Sequence, residues 1–212
     1  LASQVFMSAL MMGFGGLILS HMGFLFSNTP IELSYFGYFA TVIVVVGAIN
    51  AFNMVDGIDG LLGALATITF SSMGLLFYFN GQQELAAFCL VIVFATVPYI
   101  LLNLGIPLGQ RFKIFMGDAG STVIGFTVVW LLLEGSQSQL NPSFSPITAL
   151  WLAGVPIIDA VSTISRRVKK GQSPFKPDRE HLHHILLRLG LSTRQALVVI
   201  CIFALLFAGI GI

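Results

Sequence analysis

The chain has 212 residues, of which 56% are hydrophobic and 9% charged, with a mean hydropathy of +0.93. Soluble domains carry about a quarter charged residues, so this composition excludes an ordinary soluble domain and makes lipid the main solvent. The net charge of +1 is no basic footprint, and no nucleic acid is expected among the partners.

The opening "LASQVFMSALMM" has neither an initiator Met nor a basic n-region, so it is not a signal peptide. It reads as a membrane segment entered partway, with sequence expected upstream. Uncharged stretches long enough to cross about 30 Å of hydrocarbon recur from there to the end. Seven are expected, at about 1–20, 35–53, 61–79, 85–103, 119–134, 147–165 and 195–212. The fifth is short, and the sixth carries Asp159. Lipid admits only helices and closed barrels as spanning structures, and runs without two-residue alternation select helices. The expected fold class is therefore all-α: a polytopic helical membrane protein forming one integral-membrane domain over 1–212. Cys89 and Cys201 fall inside apolar runs and read as buried thiols rather than a disulfide.

The second stretch ends in "NAFNMVDGIDG", where Asn50, Asn53, Asp56 and Asp59 recur every three residues. Neighbours in this series share a helix face, but all four converge only if the helix tightens or breaks. Gly57, Gly60 and Gly63 make the backbone permissive there. A cap followed by a turn would explain part of this pattern; two amides and two acids at a membrane edge favour a polar ligand. Before the fifth stretch, "KIFMGDAGST" sets Asp118 between glycines at a helix start, where backbone N–H groups favour anions and the carboxylate favours a divalent cation. Asp118 could also be a simple cap.

Between the last two stretches, "SPFKPDREHLHHILLRLG" predicts a short amphipathic interfacial helix, with Asp178 as N-cap and Gly190 as stop. Leu182, Ile185, Leu186 and Leu189 form its apolar stripe, and His181, His184 and Arg188 its polar face. The histidines could be solvated surface, a zinc site lacking further nearby ligands, or a phosphate and sugar site beside Arg179 and Arg188. Ser192 and Gln195 predict a capping box for the last stretch.

The ten Lys and Arg residues set the orientation. Arg111 and Lys113 lie in one loop, the other eight in or beside 166–194, and none in 21–34, 80–84 or 135–146. With seven spans, both basic loops and the Asp56/Asp59 loop share a side, the cytoplasm by the positive-inside rule.

"NAFNMVDGIDGLLG", "FKIFMGDAGST" and "KPDREHLHH", in this order, resemble the polyprenyl-phosphate N-acetylhexosamine-1-phosphate transferases. The wording is most similar to the branch that joins UDP-N-acetylglucosamine (UDP-GlcNAc) to undecaprenyl phosphate. The resemblance implies a Mg²⁺-dependent glycosyl-1-phosphate transferase of the bacterial inner membrane, acting at the cytoplasmic face in the first membrane step of cell-surface polysaccharide synthesis. Mn²⁺ could replace Mg²⁺, and the enzyme could be a homodimer in the bilayer. By the same resemblance Asp56, Asp59, Asp118, His181, His183 and His184 are catalytic, and Asp118 is the metal ligand. Asn50, Asn53, Asn103, Phe115 and Arg179 would bind substrate, with Asn103 and Phe115 at the uridine. The family also carries a paired-aspartate motif, and this chain has no Asp-Asp pair. It is therefore expected to be the C-terminal portion of a longer protein. Two rival readings are an intramembrane aspartyl protease, whose GxGD motif would need glycine where Phe115 stands, and a transporter using acids such as Asp159.

Overall fold

In the computed structural model, residues 1–24, 29–138, 141–173 and 181–212 are described. The fold is helical; among the described residues the only strand-like pairing is a bridge between His21 and Glu32. The helices are α1 (Ala2–Gly15), α2 (Phe36–Met54), α3 (Leu61–Phe79), α4 (Gln83–Asn103), α5 (Gly117–Gln137), α6 (Pro146–Leu152), α7 (Gly154–Lys169), α8 (Leu182–Arg188) and α9 (Thr193–Gly211). Five of them, α2, α3, α4, α5 and α9, are long and apolar enough to cross a membrane unaided.

The remaining two expected spans take different forms. α1 is only 14 residues, because Gly16 enters the left-handed region and the chain leaves the helix there. At 1.5 Å per residue it reaches roughly 21 Å, short of a full crossing. The expected span at 147–165 is broken: α6 and α7 meet at an angle of 82°. Pro156 explains why a straight helix is unfavourable, since it lacks the N–H that would bond the carbonyl of Leu152. That carbonyl instead accepts the hydroxyl of Thr69, at 3.1 Å. The fifth span is longer than expected, 21 residues rather than a short run.

α3 is the centre of the bundle. Leu61, Leu62, Leu65, Phe70, Met73 and Phe77 on it are fully buried against α4, α5, α6 and α9. α4, by contrast, turns Leu90, Val91, Phe94 and Val97 outward, as a lipid-facing helix must. Close approach depends on small residues: a Cβ at Gly125 of α5 would lie 2.8 Å from the Cα of Ile49 on α2. The two ends of the bundle are tied separately. At one, Gln137 accepts from the backbone of Ser20 and His21, and Asn80 donates to the carbonyl of Ser143. The other end gathers the loops 55–60 and 104–116 and helix α8.

Candidate functional site

α2 ends at Met54, and residues 55–60 form tight turns before α3 begins after the left-handed Gly60 (φ 80°). The break separates the four polar residues that a straight helix would have spread around its surface. Asn53 accepts the hydroxyl of Ser121 at 2.6 Å, tying the end of α2 to the start of α5. Asn50 goes elsewhere: its amide donates to Gln4 on α1 and to the Val46 carbonyl, at 3.1 and 2.7 Å. It cross-links helices within the bundle and does not join the acids, because one helical turn before the break it still faces α1.

Asp118 lies in the first turn of α5, where the helix dipole favours a negative charge. The N-cap position is Met116, with no side-chain capping bond, so Asp118 is not the cap of α5. Its carboxylate is exposed. Asp56 is also exposed, yet its surroundings remove enough water to raise its carboxyl above the usual carboxylate range, and the charges of Asp118 and Asp59 push it the same way. Asp118 thus acts on Asp56 across the gap between the 55–60 turn and α5. The ammonium of Lys113 pairs with Asp59.

Asn103, at the end of α4, is buried and spans the two loops. Its oxygen accepts from Gly60 N–H at 2.5 Å and its amide donates to the Ile114 carbonyl at 2.7 Å. These bonds make it a brace that holds the acid loop beside the 104–116 loop. Phe115, in contrast, is 74% exposed and open to contact from outside.

α8 departs from the predicted amphipathic helix. It spans only seven residues and begins at Leu182, with His181 extended at its N-cap and Gly190 (φ 92°) ending it as expected. Asp178 and Arg179 lie outside the described residues. Leu182 and Leu186 pack on the core, while Ile185 and Leu189 are exposed. His181, expected on an outer polar face with His184 and Arg188, turns inward and is buried, as is His183. Two features make these inward histidines tolerable. Asp159 of α7 supplies a buried acceptor: its Oδ2 lies 3.0 Å from Nδ1 of His181, and its Oδ1 accepts from Leu182 N–H at 2.7 Å. Gly57 supplies space, because a Cβ there would overlap Nε2 and Cε1 of His183. The rings of His181 and His183 stack parallel, 5.9 Å apart, and His184 lies 4.2 Å from His183. Burial and the neighbouring histidines lower His183 to about 4, so its ring is neutral at ordinary pH. Its Nε2 is buried without a hydrogen-bond partner.

The structure therefore brings together Asp56, Asp59, Asp118, Asn53, Asn103, His181, His183 and His184, leaves Phe115 accessible at the rim, and directs Asn50 to α1. Sequence reasoning missed Lys113 as the partner of Asp59 and Asp159 as the partner of His181. The available signal for Asp159 was a lone carboxylate in an apolar stretch. Among the described residues, no three His, Cys, Asp or Glu side chains form a metal-holding group, so the histidines offer no zinc site there.

The sequence matches Glycosyl transferase family 4 over residues 1–136. It is 52% identical over 209 residues to the undecaprenyl-phosphate alpha-N-acetylglucosaminyl 1-phosphate transferase of Escherichia coli K12, covering 99% of this chain and 56% of that protein. The proteins of the same name from Yersinia pestis and Haemophilus influenzae are 49% and 46% identical, over 99% of this chain and 57% and 59% of theirs. The chain thus spans little more than half the length of these relatives.

Proposed function

The chain belongs to glycosyl transferase family 4, and from that membership we propose that its full-length protein transfers N-acetylglucosamine-1-phosphate from UDP-GlcNAc to undecaprenyl phosphate. In this reaction an oxygen of the lipid phosphate attacks the β-phosphorus of the nucleotide sugar. A new P–O–P linkage forms, the bond between the α- and β-phosphates breaks, and UMP leaves with the electron pair.

The observation that carries this reading is the meeting of Asp56, Asp59 and Asp118 with the histidine cluster at one end of an apolar bundle. A membrane lipid and a water-soluble nucleotide can both reach such a place, which in a bacterial inner membrane would be the cytoplasmic face. The donor set suits Mg²⁺. Asp118 and Asp56 are exposed, their mutual repulsion is relieved by a cation, and an ion held by two carboxylates would take its other ligands from phosphate oxygens and water. When bound, Mg²⁺ supplies neutralisation of the charge that develops in phosphoryl transfer. Lys113 places a second positive charge beside Asp59, in reach of the same region. Asn53 and Ser121 fix α2 against α5 so that the two acid-bearing segments keep their spacing. Asn103 braces the loops from behind, and Phe115 offers an exposed ring for the uracil base to stack on. The cluster of His181, His183 and His184, packed against Gly57 of the acid loop, would line the phosphate or sugar side of the site.

The test uses full-length protein in detergent or liposomes. Exchange of labelled UMP into UDP-GlcNAc should require both undecaprenyl phosphate and Mg²⁺. Asp118→Asn keeps the shape and removes the charge, and should lower exchange by about 10²–10³ while the protein still inserts and melts normally. Exchange without lipid phosphate, or a folded Asp118→Asn protein with near-normal turnover, would overturn the reading.

A further inference from the structure

Among the described residues the one buried carboxylate is Asp159, and both of its oxygens point at the histidine segment. It is 6% exposed on α7, 22 residues before the nearer of its two partners. An ionisable group buried in a membrane bundle is costly, and one partner fewer would make it more so. Here both oxygens are engaged: Oδ1 holds the first N–H of α8, and Oδ2 holds Nδ1 of His181. Beyond His181 the contacts continue without a gap. Its ring stacks on His183, which in turn touches His184 and fills the space left by Gly57 in the acid loop. The imidazole of His183 ends there on a buried Nε2 with no partner, so its place is fixed by packing alone.

We propose that Asp159 is a positioning residue for the histidine cluster. It fixes the His181 tautomer with the proton on Nδ1, leaving Nε2 as an acceptor that can take a proton from a substrate hydroxyl. It also sets the start of α8, and so the stack of rings, against the 55–60 loop. A hydrogen-bonded carboxylate behind an imidazole selects tautomer and orientation in this way wherever the two are paired. The proposal rests on the transferase reading and adds a residue to it that touches no substrate.

Asp159→Asn is the informative change. If its amide oxygen accepts from Leu182 N–H, its NH₂ must face Nδ1, which then has to be an acceptor; the tautomer is reversed with the shape retained. In the full-length enzyme this should lower kcat by about 10–100-fold, with the KM for UDP-GlcNAc changed much less. Combining it with His181→Gln should cost no more than His181→Gln alone, since the aspartate acts through that ring. A purely structural role would instead give losses that multiply. A second measurement needs no aspartate variant: ¹⁵N spectra of histidine-labelled wild-type protein, assigned by loss of the His181 signal in His181→Gln, should show neutral His181 protonated at Nδ1. Near-normal kcat in a folded Asp159→Asn enzyme, multiplying losses, or an Nε2-protonated His181 would each overturn the proposal. Failure of the wild-type protein to transfer sugar phosphate would count against the transferase reading instead, and the spectrum would still decide the pair.

Discussion

Gly57 shows how one missing side chain joins two motifs more than a hundred residues apart. Its conformation is not left-handed, so backbone strain is not what selects glycine. Selection comes from the ring of His183, which occupies the place a Cβ would take. Gly57→Ala should therefore push His183 out of its packed position, and the stack with it, while α2 and α3 stay as they are. We expect transfer to fall by at least about tenfold, as for displaced catalytic groups, with a melting temperature lowered by only a few degrees. A Gly57→Ala enzyme with unchanged kcat would show that the ring can give way without consequence. The same residue marks a limit of sequence reading. The glycines of "NMVDGIDGLLG" were legible as permissive backbone, but which of them admits a neighbour depends on the fold. Gly63 in fact receives Ile100 of α4, 2.5 Å from its Cβ position.

At the scale of the helices, hydropathy located nearly every apolar segment, because in lipid the backbone must satisfy itself within the segment. The capping box of α9, Ser192 with Gln195, was equally legible, being local in sequence and confirmed in full. What could not be read was geometry imposed by partners. The 82° break between α6 and α7 was signalled by Gly154 and Pro156, yet proline also occurs inside α4, at Pro98, without a break. At the break the hydroxyl of Thr69 takes the carbonyl that Pro156 leaves without its usual donor. Likewise α8 turned His181 inward beside Leu182 and Leu186 because Asp159 and Gly57, distant in sequence, make an inward histidine acceptable. Thr69→Val tests the first of these. It conserves shape, removes the donor, and leaves the Leu152 carbonyl buried and unpaired, at a cost of about 1–3 kcal/mol. Thermal unfolding in detergent should show that loss, while Thr67→Val, which removes a helix's own back-bond and its contact with Thr96, serves as a comparison. Equal stability of the Thr69→Val and wild-type proteins would mean that water or a neighbour replaces the hydroxyl.

For the whole molecule, the arrangement of charge and the arrangement of contacts agree on which loops share an end. Gly60 meets Asn103, Asn103 meets Ile114, and Gly57 meets His183, so the loops after α2, α4 and α7 lie together. The loops after α3 and α5 meet at the other end, where Gln82 donates to the Asn141 carbonyl at 2.9 Å. All ten Lys and Arg fall in or beside the first group. A positive excess of that kind is retained on the cytoplasmic side, so the acid and histidine cluster should face inward even though α1 and the bent pair are not ordinary spans. Cysteine labelling in intact cells can check this directly. In a full-length protein with Cys89 and Cys201 replaced, Gln82→Cys should react with an impermeant maleimide from outside. Phe115→Cys, 74% exposed at the rim of the site, should react only after the membrane is opened. Labelling of Phe115→Cys in sealed cells would place the carboxylates on the outer face, away from any cytoplasmic nucleotide, and would remove the proposed donor along with the topology.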